Sequence, residues 1–162
     1  MKIDEVLRED CIIENLKAKT KEEALAAMCG VLLEKGYVKD SFPQAILERE
    51  RLYPSGLPME GHKIAIPHTD AEHVNESVIL FARLEEPVEF SSMGDPDEKI
   101  PVRLISMFAL KEKKEIGFLL DVLITAYSDN DTLETVLRAS SAKEIYDLLY
   151  KTVGDRIKEK EG

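Results

Sequence analysis

Apolar and polar positions change period several times along this chain, and each change marks an element. The stretch "DCIIENL" (10–16) concentrates β-branched and apolar residues and predicts a short strand. From 20 to 36, "TKEEALAAMCGVLLEKG" switches to helical spacing, with Leu25, Met28, Val31 and Leu32 on one face. Thr20 and Glu23 have the spacing of a capping box, and Gly36 offers the left-handed stop. A second helix, "FPQAILERERL" (42–52), begins after Ser41 and tolerates Pro43 in its first turn. Glycines and prolines in "YPSGLPMEG" (53–61) predict a loop without regular structure, and "KIAI" (63–66) a short strand stopped by Pro67.

Two longer strands are predicted at 76–84 and 100–110, where "ESVILFARL" and "IPVRLISMFAL" are dense in β-branched and apolar residues. Between them, "SSMGDPDEK" (91–99) reads as an exposed loop, and a short loop at 85–88 would permit local antiparallel pairing. Helical spacing returns at 113–127, where Ile116, Leu119, Leu120, Leu123, Ile124 and Tyr127 form one apolar stripe. Two further helices open with capping-box spacings, Asp131/Glu134 and Ser141/Glu144. The polar end "GDRIKEKEG" (154–162) is expected to fray. Interleaved helices and strands without internal repeats predict an α/β fold: one layered domain over 1–152, a central mixed β-sheet with helices on both faces, and a frayed tail at 153–162.

Composition narrows the chemistry. The 162 residues suffice for one domain with a substantial core. A net charge of −10 disfavours nucleic-acid binding, and the basic residues form no stripe with aromatics between them. No apolar run approaches the roughly 20 residues that cross a bilayer. The N-terminal stretch has no apolar export region, so direct membrane insertion is not expected and the default compartment is cytoplasmic. Cys29 sits within the apolar helical run and reads as a buried thiol; its spacing from Cys11 matches no metal or redox motif.

All three histidines fall within "GHKIAIPHTDAEH" (61–73). As an extended segment, this would set His62 and His68 about 20 Å apart, whereas a zinc ion needs each nitrogen within about 2.1 Å. A helical 69–73 would turn His68 and His73 about 140° from each other. Metal binding is therefore not expected. A histidine beside a sheet is more often a satisfied polar side chain, but His68 follows Pro67 and projects from a strand's end, where ligand crevices of α/β sheets form. Thr69 adds a hydroxyl and an amide for an anion. Neither a Gly-x-Ser-x-Gly elbow nor a phosphate-binding glycine loop is present. An imidazole that itself carries a phosphoryl group needs neither.

The stretch "ILERERLYPSGLPMEGHKIAIPHTDAEH" (46–73) resembles the IIA domain, type 2, of the bacterial sugar phosphotransferase system. An Arg-Glu pair, a Ser-Gly turn and an Ile-Ala-Ile-Pro-His run carry the resemblance, which extends over about residues 5 to 150. Within the family the chain looks most like galactitol-type proteins, with a histidine six residues before the reactive one and another five after it. The resemblance implies that His68 is phosphorylated at Nε2 (the tele nitrogen), receiving the group from the phosphocarrier HPr and passing it to a IIB partner that works with a membrane IIC component. It implies that Arg49, Ser55, Gly56 and Thr69 hold the phosphoryl group, with Glu50 and His62 as auxiliaries, and that no cofactor is needed. Composition alone would place Arg49 and Glu50 on a solvated face. Mannitol and fructose members carry a second histidine at the start of the helix after the core strand; here "KEKKEIGFLL" (111–120) offers Glu115. Three functions follow: a carrier for uptake of galactitol or a related polyol, a regulatory protein of the nitrogen-related type, and a non-catalytic interaction domain.

Overall fold

The computed structural model describes residues 2–162. Its elements run α1 (Ile3–Val6), β1 (Ile12–Leu16), α2 (Lys21–Glu34), α3 (Phe42–Leu52), β2 (Gly56–Leu57), β3 (Lys63–Ala65), a 3-10 turn (Ala71–His73), β4 (Val78–Ser91), β5 (Lys99–Ala109), α4 (Lys113–Tyr127), α5 (Asn130–Arg138) and α6 (Ala142–Glu161). The strands form one mixed sheet in the order β1-β4-β5-β3-β2. β1 pairs with β4 and β3 with β5 in parallel, while β4–β5 and β2–β3 are antiparallel.

Alternation along β4 shows why both sheet faces are covered. Val78, Leu80, Ala82 and Leu84 enter one apolar cluster with Leu25, Met28 and Leu32 of α2 and Phe42 and Ile46 of α3. Ile79 and Phe81 enter the other, with Leu119 and Leu123 of α4, Leu133 of α5 and Leu149 and Val153 of α6. Side chains of this size contribute about 1.5–3 kcal/mol each when fully buried, so a one-residue slip of β4 would exchange its two faces and is strongly disfavoured. Among the polar groups inside, the Ser106 and Tyr127 hydroxyls satisfy each other at 2.8 Å. The Cys11 and Cys29 thiols are buried, and burial pushes both up to about 12, which leaves them protonated and unreactive.

Several expected boundaries move. No loop interrupts 85–88: β4 continues to Ser91 through an irregularity between Arg83 and Val88, because Val88 and Phe90 return to the core while Glu85, Glu86, Pro87 and Glu89 stay exposed. The reversal falls at 92–98, and Ser91 and Ser92, expected to be exposed, are buried. Gly56 and Leu57 make a two-residue strand where a loop without regular structure was expected. Thr20 and Glu23 form their capping box, but α5 is capped by Asp129, whose side chain accepts from the Asp131 amide; Asp131/Glu134 is not a box. The stretch expected to fray is helical: α6 continues to Glu161, with Ile157 buried and Lys160 paired to Asp121 at 2.6 Å. The buried Arg83 was not foreseen. Its guanidinium donates to Glu14 O (3.0 Å) and to Val136, Leu137 and Ala139 O (3.2, 3.3 and 2.6 Å), satisfying the last carbonyls of α5 and tying them to β1.

Candidate active site

β3 ends where Pro67 withdraws its amide from the ladder, yet the chain stays anchored on both sides of that point. The Ile66 amide donates to Ser55 O at 3.1 Å, and the Phe108 amide of β5 donates to Pro67 O at 2.9 Å. His68 therefore leaves the carboxyl end of a strand that runs parallel to its β5 neighbour, the setting in which α/β sheets open ligand crevices. Its ring is half-buried, with the Phe108 ring 6.2 Å away, centroid to centroid.

His68 Nδ1 lies 3.0 Å from Ile66 O. A carbonyl only accepts, so Nδ1 carries the proton and Nε2 keeps the lone pair. Burial lowers the His68 pKa below the ordinary histidine value, and the nearby Arg49 charge adds to this, against opposing effects of the Ile66 carbonyl and Asp70. The ring is then neutral near pH 7. Depression of the folded-state value means that acceptor capacity is present at neutral pH and is lost only as pH falls through that lowered value. An NMR titration is expected to place the His68 midpoint below about 6.5, with the Nδ1–H form dominant above it. A midpoint at or above that value would contradict the neutral, partly buried ring.

Around His68 the expected residues divide. Arg49 lies in the last turn of α3, half-buried, with its guanidinium 4.7 Å over the Tyr53 ring; among the described residues it makes no ion pair with a carboxylate. Glu50 is not on a solvated face: it is 3% exposed, and its carboxylate accepts from the Ser55 amide (2.9 Å) and the Ser55 hydroxyl (2.5 Å). Both donors of Ser55 are thus occupied, which leaves it none to offer a phosphoryl oxygen in this arrangement. Gly56 has a steric reason to be glycine, since a Cβ there would stand 2.5 Å from Ser91 O and 2.9 Å from Ile100 Cδ1. Thr69, next to His68 in the chain, is buried.

The other two histidines face away into separate contacts. His62 Nε2 meets Glu134 Oε2 at 2.5 Å, and Arg138 Nε holds the other Glu134 oxygen at 2.8 Å, so His62 ties the loop before β3 to α5. His73 Nδ1 lies 2.7 Å from Ser41 Oγ and links the 3-10 turn to the start of α3. Among the described residues, no three His, Cys, Asp or Glu side chains converge as metal ligands. Glu115 accepts from Ser77 Oγ (2.9 Å) and the Glu112 amide (3.1 Å), closing a capping box at the start of α4. A cleft of about 960 Å³ opens beside Glu50 between α2, α3 and the 91–99 segment, and His68 is not among its lining residues.

A neutral imidazole at the end of a parallel strand of a mixed sheet has the chemistry to take up a phosphoryl group. Residues 5–152 match the family described as phosphoenolpyruvate-dependent sugar phosphotransferase system, EIIA 2, and the chain belongs to that family. Its members are phosphotransferases with a phosphohistidine intermediate. The chain is 32% identical over 117 residues to the galactitol-specific EIIA component of Escherichia coli K12, covering 72% of this chain and 77% of that protein. Its structure is similar to that of enzyme IIAMTL in complex with phosphorylated enzyme IIBMTL from Escherichia coli, with a TM-score of 0.72 and 29% identity over 90% of this chain and 97% of the other. It is also similar to nitrogen regulatory protein IIA-Ntr from Neisseria meningitidis, with a TM-score of 0.65 and 26% identity over 90% and 97%.

Proposed function

We propose that Nε2 of His68 accepts a phosphoryl group from HPr and passes it to a IIB partner, in the uptake of galactitol or a related polyol. The observation that carries this reading is the Nδ1–H bond to Ile66 O, which commits one ring nitrogen and leaves the other as nucleophile. In the transfer, the Nε2 lone pair forms a new N–P bond as the donor's N–P bond breaks. The donor imidazole leaves with that electron pair, and the Nδ1 proton of His68 stays in place. Arg49 would face oxygens whose charge is redistributed during the transfer, in a chain that is otherwise strongly negative.

A protein partner is supported by the surface around the reactive turn. Leu52, Tyr53 and Met93 are exposed large apolar side chains, and the Met93 amide donates to Gly56 O at 2.7 Å. Among the described residues, no helix is long and apolar enough to cross a membrane. Galactitol is favoured by the resemblance to the galactitol-specific EIIA component; the resemblance to IIA-Ntr supports the second reading, a regulatory protein controlled by its phosphorylation. Charged with phosphoenolpyruvate, enzyme I and HPr, the protein is expected to discharge onto a galactitol-type IIB faster than onto a mannitol-type one. Phosphorylation without discharge onto any IIB would favour the regulatory reading.

A further inference from the structure

Glu50 has no direct role in the transfer described above, yet it is an almost fully buried carboxylate beside the reactive turn. Burial raises its pKa, and the two Ser55 bonds and the nearby Lys21 charge only partly offset that cost. A buried carboxylate retained at such a cost invites a question about what it holds.

The hydrogen bonds answer it in sequence. Glu50 accepts from both donors of Ser55, at 2.9 and 2.5 Å. Ser55 O accepts from the Ile66 amide at 3.1 Å. Ile66 O accepts from His68 Nδ1 at 3.0 Å. Four residues from two separated segments thus form one relay that ends on the ring nitrogen opposite the proposed acceptor. Pro67 stiffens the last link: it restricts Ile66 to extended backbone, and the carbonyl bonded to His68 belongs to the Ile66–Pro67 amide.

We propose that Glu50 is a positioning residue for phosphoryl transfer: through Ser55 and Ile66 it sets the carbonyl that keeps the proton on His68 Nδ1 and the lone pair on Nε2. The proposal rests on the reading of His68 as the acceptor. The tautomer of an imidazole follows the hydrogen bond made by its other nitrogen, so a displaced Ile66 carbonyl would let the proton return to Nε2 and block the nucleophile. The carboxylate also holds the Ser55 hydroxyl proton toward itself. A glutamine cannot reproduce this, because one carbonyl oxygen must replace two acceptors and its amide would donate to Ser55 Oγ instead. Charge-assisted bonds are about twice as strong as neutral ones, so Glu50→Gln keeps the volume and loses much of the clamp.

The test compares wild type, Glu50→Gln and Ser55→Ala, each labelled with ¹⁵N. Ring-nitrogen shifts report the His68 tautomer without any transfer reaction, and phosphoryl uptake from phospho-HPr is timed in parallel. In Glu50→Gln, the Nδ1–H form is expected to give way to a mixture, and uptake to slow by about 10- to 100-fold, the usual effect of losing a group that orients a reactive one. Ser55→Ala should shift both readouts the same way by less, and it decides the matter if Glu50→Gln does not fold. A folded variant with wild-type tautomer and wild-type rate overturns the positioning role. If wild type shows the Nδ1–H form and the variants lose it, but wild type takes no phosphoryl group on His68, the relay stands and the functional reading fails.

Discussion

Replacing His68 with alanine is expected to abolish phosphoryl uptake, leaving no acid-labile phosphate after incubation with phosphoenolpyruvate, enzyme I and HPr. The physical ground is that the chain offers no second imidazole for the work. His62 is held by Glu134 and His73 lies against Ser41, while Glu115 is spent on the cap of α4. The fold should survive. His68 is half-buried at a strand's end, and the main-chain bonds that anchor the segment, from Ile66 N to Ser55 O and from Phe108 N to Pro67 O, do not involve its side chain. Thermal unfolding within a few degrees of wild type, together with complete loss of uptake, is the expected pair of results. Uptake that persists in His68→Ala would move the acceptor elsewhere.

The next largest effect is expected at Arg49. Its guanidinium sits where the His68 ring feels its charge, is oriented by the Tyr53 ring and is not neutralised by a carboxylate partner among the described residues. A free guanidinium in a chain of net charge −10 is a local positive field in negative surroundings, the condition under which a phosphoryl group can approach. Arg49→Ala should slow uptake by about ten- to a thousand-fold, in the range found when a preorganised oxyanion donor is removed. Lysine should restore only part of the rate, because a point charge lacks the planar fork that pairs with two oxygens. Loss of the positive charge should also let the His68 midpoint rise slightly, which an NMR titration of the variant can read. A rate equal to wild type would leave Arg49 as a surface residue stacked on Tyr53.

Much of this is legible in the sequence. Helical spacing in 20–36 and 113–127 and the β-branched runs at 76–84 and 100–110 report local periodicity, and each became an element of its kind. His68 stood out because Pro67 ends a strand immediately before it, a local fact. Other features were hidden because they join distant segments. The spacing of Asp131 and Glu134 suggested a cap, but Glu134 is drawn to His62, 72 positions away in sequence. The end of the chain is polar enough to suggest fraying, yet Lys160 reaches Asp121 and Ile157 enters the core.

By itself, the sequence determined the alternation that builds two apolar faces, the stops that end the elements, and the family signature around His68; these depend on neighbours within a few positions. Only the tertiary structure decided which ring nitrogen is free and why Glu50 is buried. It also decided where the donors of Ser55 are spent. The link that joins these local bonds, from the Ile66 amide to Ser55 O, connects two segments brought together by the pairing of β2 and β3. A donor's partner is settled by which acceptor the fold carries to within about 3 Å, and no spacing along the chain encodes that distance.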